Sequence, residues 1–128
     1  MAIRIVRLGT PRLSSEGVRI GTVRRPPRGV PKERHASDDW YDSWLPELSP
    51  SAELVKAAAR AESEADWDRF VRAFRKELAS PAAAHLLDLL ATLSHGTDLS
   101  VGCYCENEAR CHRSVLRAAL SERGATLT

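Results

Sequence analysis

Lysine is nearly missing from this chain, cysteine is scarce, and no stretch stays apolar for long. Three lysines stand against sixteen arginines, a compositional bias that assigns no function by itself. No apolar run approaches the roughly 20 residues that a bilayer crossing needs, which argues against a membrane partner. The opening MAIRIVRLGT has neither the long apolar core nor the small-residue cleavage site of an export signal. The three cysteines cannot all pair with one another, so reduced thiols in a cytoplasmic protein are the expectation. No repeat, interdomain linker or low-complexity tract interrupts the sequence. One domain over residues 1–128 is therefore expected, large enough to bury its core without disulfide staples.

Charge is present but unevenly placed. Residues 1–34 carry nine basic against two acidic residues, residues 35–98 six against twelve, and residues 99–128 four against three. The net +2 thus hides a strongly positive N-terminal third, which suits either an anionic ligand or a solvated basic surface.

The pattern of apolar residues alternates in IRIVRL (3–8) and again in VRIGTV (18–23), with turn-forming GTPRLSSEG between them. That reads as two strands joined in an N-terminal β-hairpin. RRPPRGVPKERH (24–35) is a basic loop, because its three prolines forbid a regular ladder. In DDWYDSWLPEL, Trp40 and Trp44 stand four apart, as in a helical turn that anchors both indoles; exposed, they would instead offer a docking patch for a protein partner or for bases. Ser49 before Pro50, Ser63 three before Asp66, and Ser80 before Pro81 mark three helix starts. Trp67, Phe70, Val71, Phe74 and Leu78 form one apolar stripe, and Leu86, Leu87, Leu89, Leu90 and Leu93 bury the next helix. DLSVGCYC then reads as a strand, and HRSVLRAALSERG as a closing helix stopped by Gly124. The fold class predicted is α/β: a small mixed β-sheet flanked by helices, with a C-terminal strand–loop–helix.

All three cysteines fall in that last unit. Cys103 and Cys105 are two apart on the strand and so share a side of the sheet, while Cys111, His112, Arg113 and Ser114 open the helix. A strand feeding a helix N-terminus presents free N–H groups and the positive end of a dipole. The favoured reading is an anion cradle in which Arg113, His112 and Ser114 donate to a phosphate or carboxylate, with Cys105 and Cys111 on the wall. Three others compete. The cysteines can be interior filling. Cys105, with His112 as proton carrier, can be a reactive thiol or a phosphoryl-transfer nucleophile, although the Cys-to-Arg spacing of tyrosine-phosphatase-like loops is not met. Cys103, Cys105, Cys111 and His112 can hold zinc, although the spacing is not that of common zinc modules. No cofactor is required by these residues.

GCYCENEARCHRSVLRAAL resembles the C-terminal signature of the family known as domain of unknown function 488, in which a strand cysteine leads about eight residues later to Cys-His-Arg. Here those positions are Cys103 and Cys111–His112–Arg113. Pro27–Arg28–Gly29, the Trp44–Pro50 run and Trp67–Phe70 resemble the YeaO-like branch. The resemblance implies a bacterial α/β domain without an established activity, and it couples the basic loop to the Cys-His-Arg turn. Cys105 stands where many members have an acid, which comes one later at Glu106, and Arg25–Pro26 replaces an often apolar pair. The expected site therefore joins Arg25 and Arg28 of the loop to Cys105, Cys111, His112, Arg113 and Ser114. Its ligand would be a nucleotide, a phosphorylated metabolite or a nucleic-acid backbone; a partner-binding role without catalysis is the remaining alternative.

Overall fold

The computed structural model describes residues 1–128, and its sheet is built around the last strand in sequence. The elements are β1 (Ile3–Arg7), β2 (Val18–Gly21), β3 (Ser43–Trp44), α1 (Ala52–Arg60), α2 (Glu64–Leu78), α3 (Pro81–Leu93), β4 (Leu99–Cys103) and α4 (His112–Glu122). Strand order is β1-β4-β2-β3 with every pair parallel; Val101 lies opposite Ile5 on one side and Ile20 on the other. The α/β class is as expected, but the N-terminal hairpin is not formed and the sheet is not mixed. β4 separates β1 from β2. Its five residues are all buried, and Gly102 lets Val6 and Leu8 approach closer than any side chain would allow. A short apolar strand covered on both faces belongs in the middle of a parallel sheet.

The helices pack on one face. Ile3, Ile20, Leu99 and Val101 meet Phe74 of α2, Leu87 of α3 and Leu116 of α4 in the main core. Ser63 caps α2 through the Asp66 N–H at 3.1 Å, but α1 is capped by Ser51 rather than Ser49, with the Leu54 N–H at 3.4 Å. Leu89 and Leu93 are exposed, so α3 buries a narrower stripe (Ala83, Leu87, Leu90, Ala91) than its leucine count suggests. Nor do Trp40 and Trp44 share a helical turn. Trp44 lies on β3 and donates its indole N–H to the Val23 carbonyl at 2.7 Å, while Trp40 follows Asp39, which has a φ of +63°. No helix is long and apolar enough to cross a membrane.

The opposite face of the sheet is polar and covered by loops. Arg19 of β2 is fully buried there and donates twice to Glu16, at 2.9 Å each, and to the carbonyls of Thr10 at 2.9 Å and Asp39 at 2.7 Å. Glu16 also accepts from Ser100 of β4 at 3.0 Å and from the Leu13 N–H at 2.8 Å. Gly17 continues the chain at φ +70° against the Asp98 carbonyl, where a Cβ would fall 1.9 Å from the oxygen. One ion pair thereby ties loops 8–16 and 35–42 to two strands.

Burial alone would push the Glu16 pKa up, but the Leu13 N–H, Arg19 and Ser100 together hold it below the usual carboxylate range. A depressed carboxylate contributes stability that is present above its unfolded pKa and lost as pH falls through the folded one. Glu16→Gln leaves the Arg19 charge buried and unpaired, so it should lower the unfolding free energy at neutral pH by about 3–5 kcal/mol. Denaturant titrations between neutral and acid pH should also show a shallower acid loss in the variant than in the wild type; identical slopes would contradict the assignment.

Candidate functional site

Three parallel strands end on the same edge, and the segments that follow them enclose a cavity of about 970 Å³. Leu8–Thr10 come from the end of β1, Val23–Arg28 from the end of β2, and Cys103–Cys105 from the end of β4. The start of α4 and one side of α1 complete the wall, with Trp40 laid against Gly9. Ligand crevices of open parallel sheets form at this place, because the strands stop together and the loops diverge. The basic loop and the Cys-rich segment are joined directly: the Tyr104 hydroxyl donates to the Arg25 carbonyl at 2.8 Å.

The lining contains six cations (Arg7, Arg24, Arg25, Arg28, Lys56 and Arg110) and no carboxylate. Half of them are committed within the protein. Arg7 donates to the Tyr104 carbonyl at 3.1 Å and lies 3.7 Å from Glu106. Arg24 binds the carbonyls of Ser49 and Pro50 at 2.9 and 3.0 Å. Arg110 pairs with Glu64 and lies over the Trp67 ring at 5.5 Å. The side chains of Arg25, Arg28 and Lys56 are exposed and make no hydrogen bond or ion pair.

The thiols and His112 lie at the inner end. Cys103 and Cys111 are buried and Cys105 is exposed. Cys103 Sγ is 3.8 Å from Cys105 Sγ, and Cys111 Sγ is 3.8 Å from His112 Nδ1. His112 Nε2 lies 2.6 Å from the Thr22 carbonyl, an atom that can only accept, so Nε2 carries the proton and Nδ1 faces the thiols. Hydrogen bonds from Cys103 and Cys105 hold the Cys111 thiol well below its ordinary range, helped by His112 and opposed by burial. Cys103 moves the other way, through its hydrogen bonds to Cys105 and Cys111 and through burial. For Cys105 the hydrogen bond with Cys103 pulls down, but Cys111 and partial burial outweigh it and the thiol is pushed up.

Of the residues expected at the site, Arg25, Arg28, Cys105, Cys111 and His112 line the cavity together. Arg113 and Ser114 do not. The Ser114 hydroxyl turns back to the Cys111 carbonyl at 2.9 Å. The Arg113 guanidinium is buried between strand ends, donating to the carbonyls of Val6 at 2.8 Å and Cys105 at 2.6 Å, with no acidic partner. Lys56 of α1 and the Trp40–Tyr104 pair, at 5.8 Å between ring centroids, complete the lining. No local pattern marks Lys56, because only the docking of α1 brings it to the sheet edge.

A family model described as the active DUF488-N3 subclade matches residues 3–124. No curated protein and no solved structure matches the chain.

The two carbonyls held by Arg113 predict a structural role that any ligand leaves unchanged. Arg113→Met should cost about 2–4 kcal/mol of stability, the size of two charge-assisted hydrogen bonds in a buried setting. Chemical denaturation without added ligand checks this; wild-type stability in the variant would show that the guanidinium is not holding β1 to β4.

Proposed function

The chain belongs to the DUF488 family, and from that premise and the geometry of its cleft we propose that it binds a small phosphorylated molecule beyond the carboxyl ends of β1, β4 and β2. One observation carries this reading: Arg25, Arg28 and Lys56 face a cleft without a carboxylate, and none of them has a partner of its own. Like charges gathered at one place repel, and their repulsion is relieved when an anion enters. Guanidinium groups take phosphate oxygens in a two-point fork, and Lys56 of α1 adds a point charge on a flexible stem.

Trp40 and Tyr104 supply an aromatic wall for the uncharged part of the ligand, which favours a nucleotide or another phosphate ester with a planar body over free phosphate. The cleft volume lies in the range of small-molecule sites, roughly 300–1,000 Å³. A concave site of this size favours a single phosphorylated molecule over the continuous backbone of a nucleic acid. Cys105 and Cys111 lie beside the bound anion, and binding does not depend on a reaction there.

Thermal unfolding in the presence of a panel of nucleotides and sugar phosphates tests the proposal. At least one compound should raise the midpoint, with the rise growing with concentration. Arg25→Ala and Arg28→Ala, at exposed positions outside the core, should each weaken that compound about ten-fold or more while leaving the unliganded midpoint unchanged. No shift across the panel would overturn the reading. Binding of heparin or duplex DNA alone, steeply weakened by salt, would replace the small ligand with a nucleic-acid backbone.

A further inference from the structure

We propose that Cys103, Cys111 and His112, with Cys105 as the fourth donor, bind a soft divalent cation of the zinc type at the inner end of the cleft. The sulfur atoms of Cys103 and Cys111 and a ring nitrogen of His112 all lie within 4.8 Å of one another. Cys105 Sγ adds a donor 3.8 Å from Cys103 Sγ. A tetrahedral zinc ion with bonds of about 2.3 Å to sulfur and 2.0 Å to nitrogen sets its ligands roughly 3.8 Å apart for two sulfurs and 3.5 Å for sulfur and nitrogen. The 3.8 Å separations of Cys103 from Cys105 and of Cys111 from His112 are close to those spacings. Cys103, Cys111 and His112 stay within 4.8 Å of one another, while Cys105, exposed in the loop, swings in as the fourth donor.

The surroundings favour the same occupant. His112 gives its Nε2 proton to the Thr22 carbonyl, which leaves the Nδ1 lone pair aimed at the thiols; a ligating histidine is held in this way by its outer partner. Thr22 is itself fixed, because its hydroxyl donates to the Gly102 carbonyl at 2.9 Å. The imidazole is further held edge-on by Phe74, 5.8 Å between centroids. Charge balances as well. Three thiolates and one divalent ion leave a single negative charge, and Arg113, buried and without an acid, donates to the backbone carbonyl of Cys105 itself. No carboxylate lines the cleft, so magnesium and calcium find no anionic oxygen donors, whereas sulfur and imidazole select zinc-like ions.

The three cysteines are not a sequential zinc module. β4 ends at Cys103, Cys105 follows two residues later in the loop, and the N-terminus of α4 brings Cys111 and His112 back to Cys103. Binding releases the thiol protons to solvent and moves no electrons. The proposal does not rest on the anion reading, because it concerns the protein alone.

The full chain, freed of metal by a chelator under reducing conditions, is titrated with zinc and separately with cobalt. We expect one equivalent bound per chain, a higher unfolding midpoint, and a cobalt spectrum with thiolate charge-transfer bands and the strong d–d absorption of a tetrahedral site. Cys111→Ser and Cys103→Ser should lose the site. Cys105→Ser should weaken binding at least ten-fold and alter the cobalt spectrum. Wild-type protein that is folded by circular dichroism but binds no stoichiometric zinc would overturn the proposal, whatever the variants do. So would a cobalt complex without charge-transfer bands, which would indicate binding elsewhere. A nucleotide or sugar-phosphate thermal shift that persists in the chelator-treated protein would leave the phosphate reading standing after such a failure.

Discussion

A guanidinium and a carboxylate enclosed together hold the polar side of this fold. Once Arg19 and Glu16 leave solvent, each of their remaining donors and acceptors must meet a protein partner, since a buried charge left incomplete costs several kcal/mol. The partners are backbone groups of Thr10, Leu13 and Asp39 and the Ser100 hydroxyl. These come from two loops and the central strand. The same loops carry Gly9 and Trp40, whose close contact forms one wall of the cleft. The shape of the site on the strand edge thus depends on an ion pair that does not itself line the cleft.

Arginine serves two opposite purposes within one sequence. Arg24 and Arg113 spend their fork of donors on backbone carbonyls, and Arg19 divides its donors between Glu16 and two carbonyls, so that all three act as internal braces. Arg25 and Arg28 stand on a proline-stiffened loop with nothing to bind. The difference is one of position. Buried and half-buried arginines reach backbone carbonyls of the loops and strand ends packed around them, whereas the exposed Arg25 and Arg28 reach none. Composition counts all sixteen arginines alike.

The cleft and the thiol cluster are two layers of one place. The outer layer is cationic and aromatic, and the inner layer is sulfur and imidazole. An anion held by Arg25, Arg28 and Lys56 would sit next to the ion proposed at Cys103, Cys111 and His112, close enough for each to alter the other's affinity through charge alone. The parallel sheet allows this stacking, because its strand ends and one helix start all open on the same edge.

Much of this was legible in the residues, and the rest was not for identifiable reasons. The amphipathic stripe from Trp67 to Leu78, the Ser63 cap and the strand–loop–helix from Leu99 to Gly124 follow from local periodicity and capping, which depend on neighbours a few residues away. The meeting of the basic loop with the Cys-His turn was an inference from family resemblance, since nothing local connects positions eighty residues apart. The supposed hairpin shows where such reading stops. Alternation tells which face of a strand is buried, but it is silent about which strand lies beside it, and a turn-rich loop serves a parallel return as well as a hairpin. Likewise Cys-His-Arg-Ser is adjacent in sequence, yet helix geometry sends His112 toward the cleft and Arg113 into the strand ends. By itself, then, the sequence determined the helices, the strand candidates and the residues able to carry chemistry. Only the tertiary structure decided which strand is central, which cations are free and which sulfur atoms meet, because those depend on packing between segments that no local pattern relates.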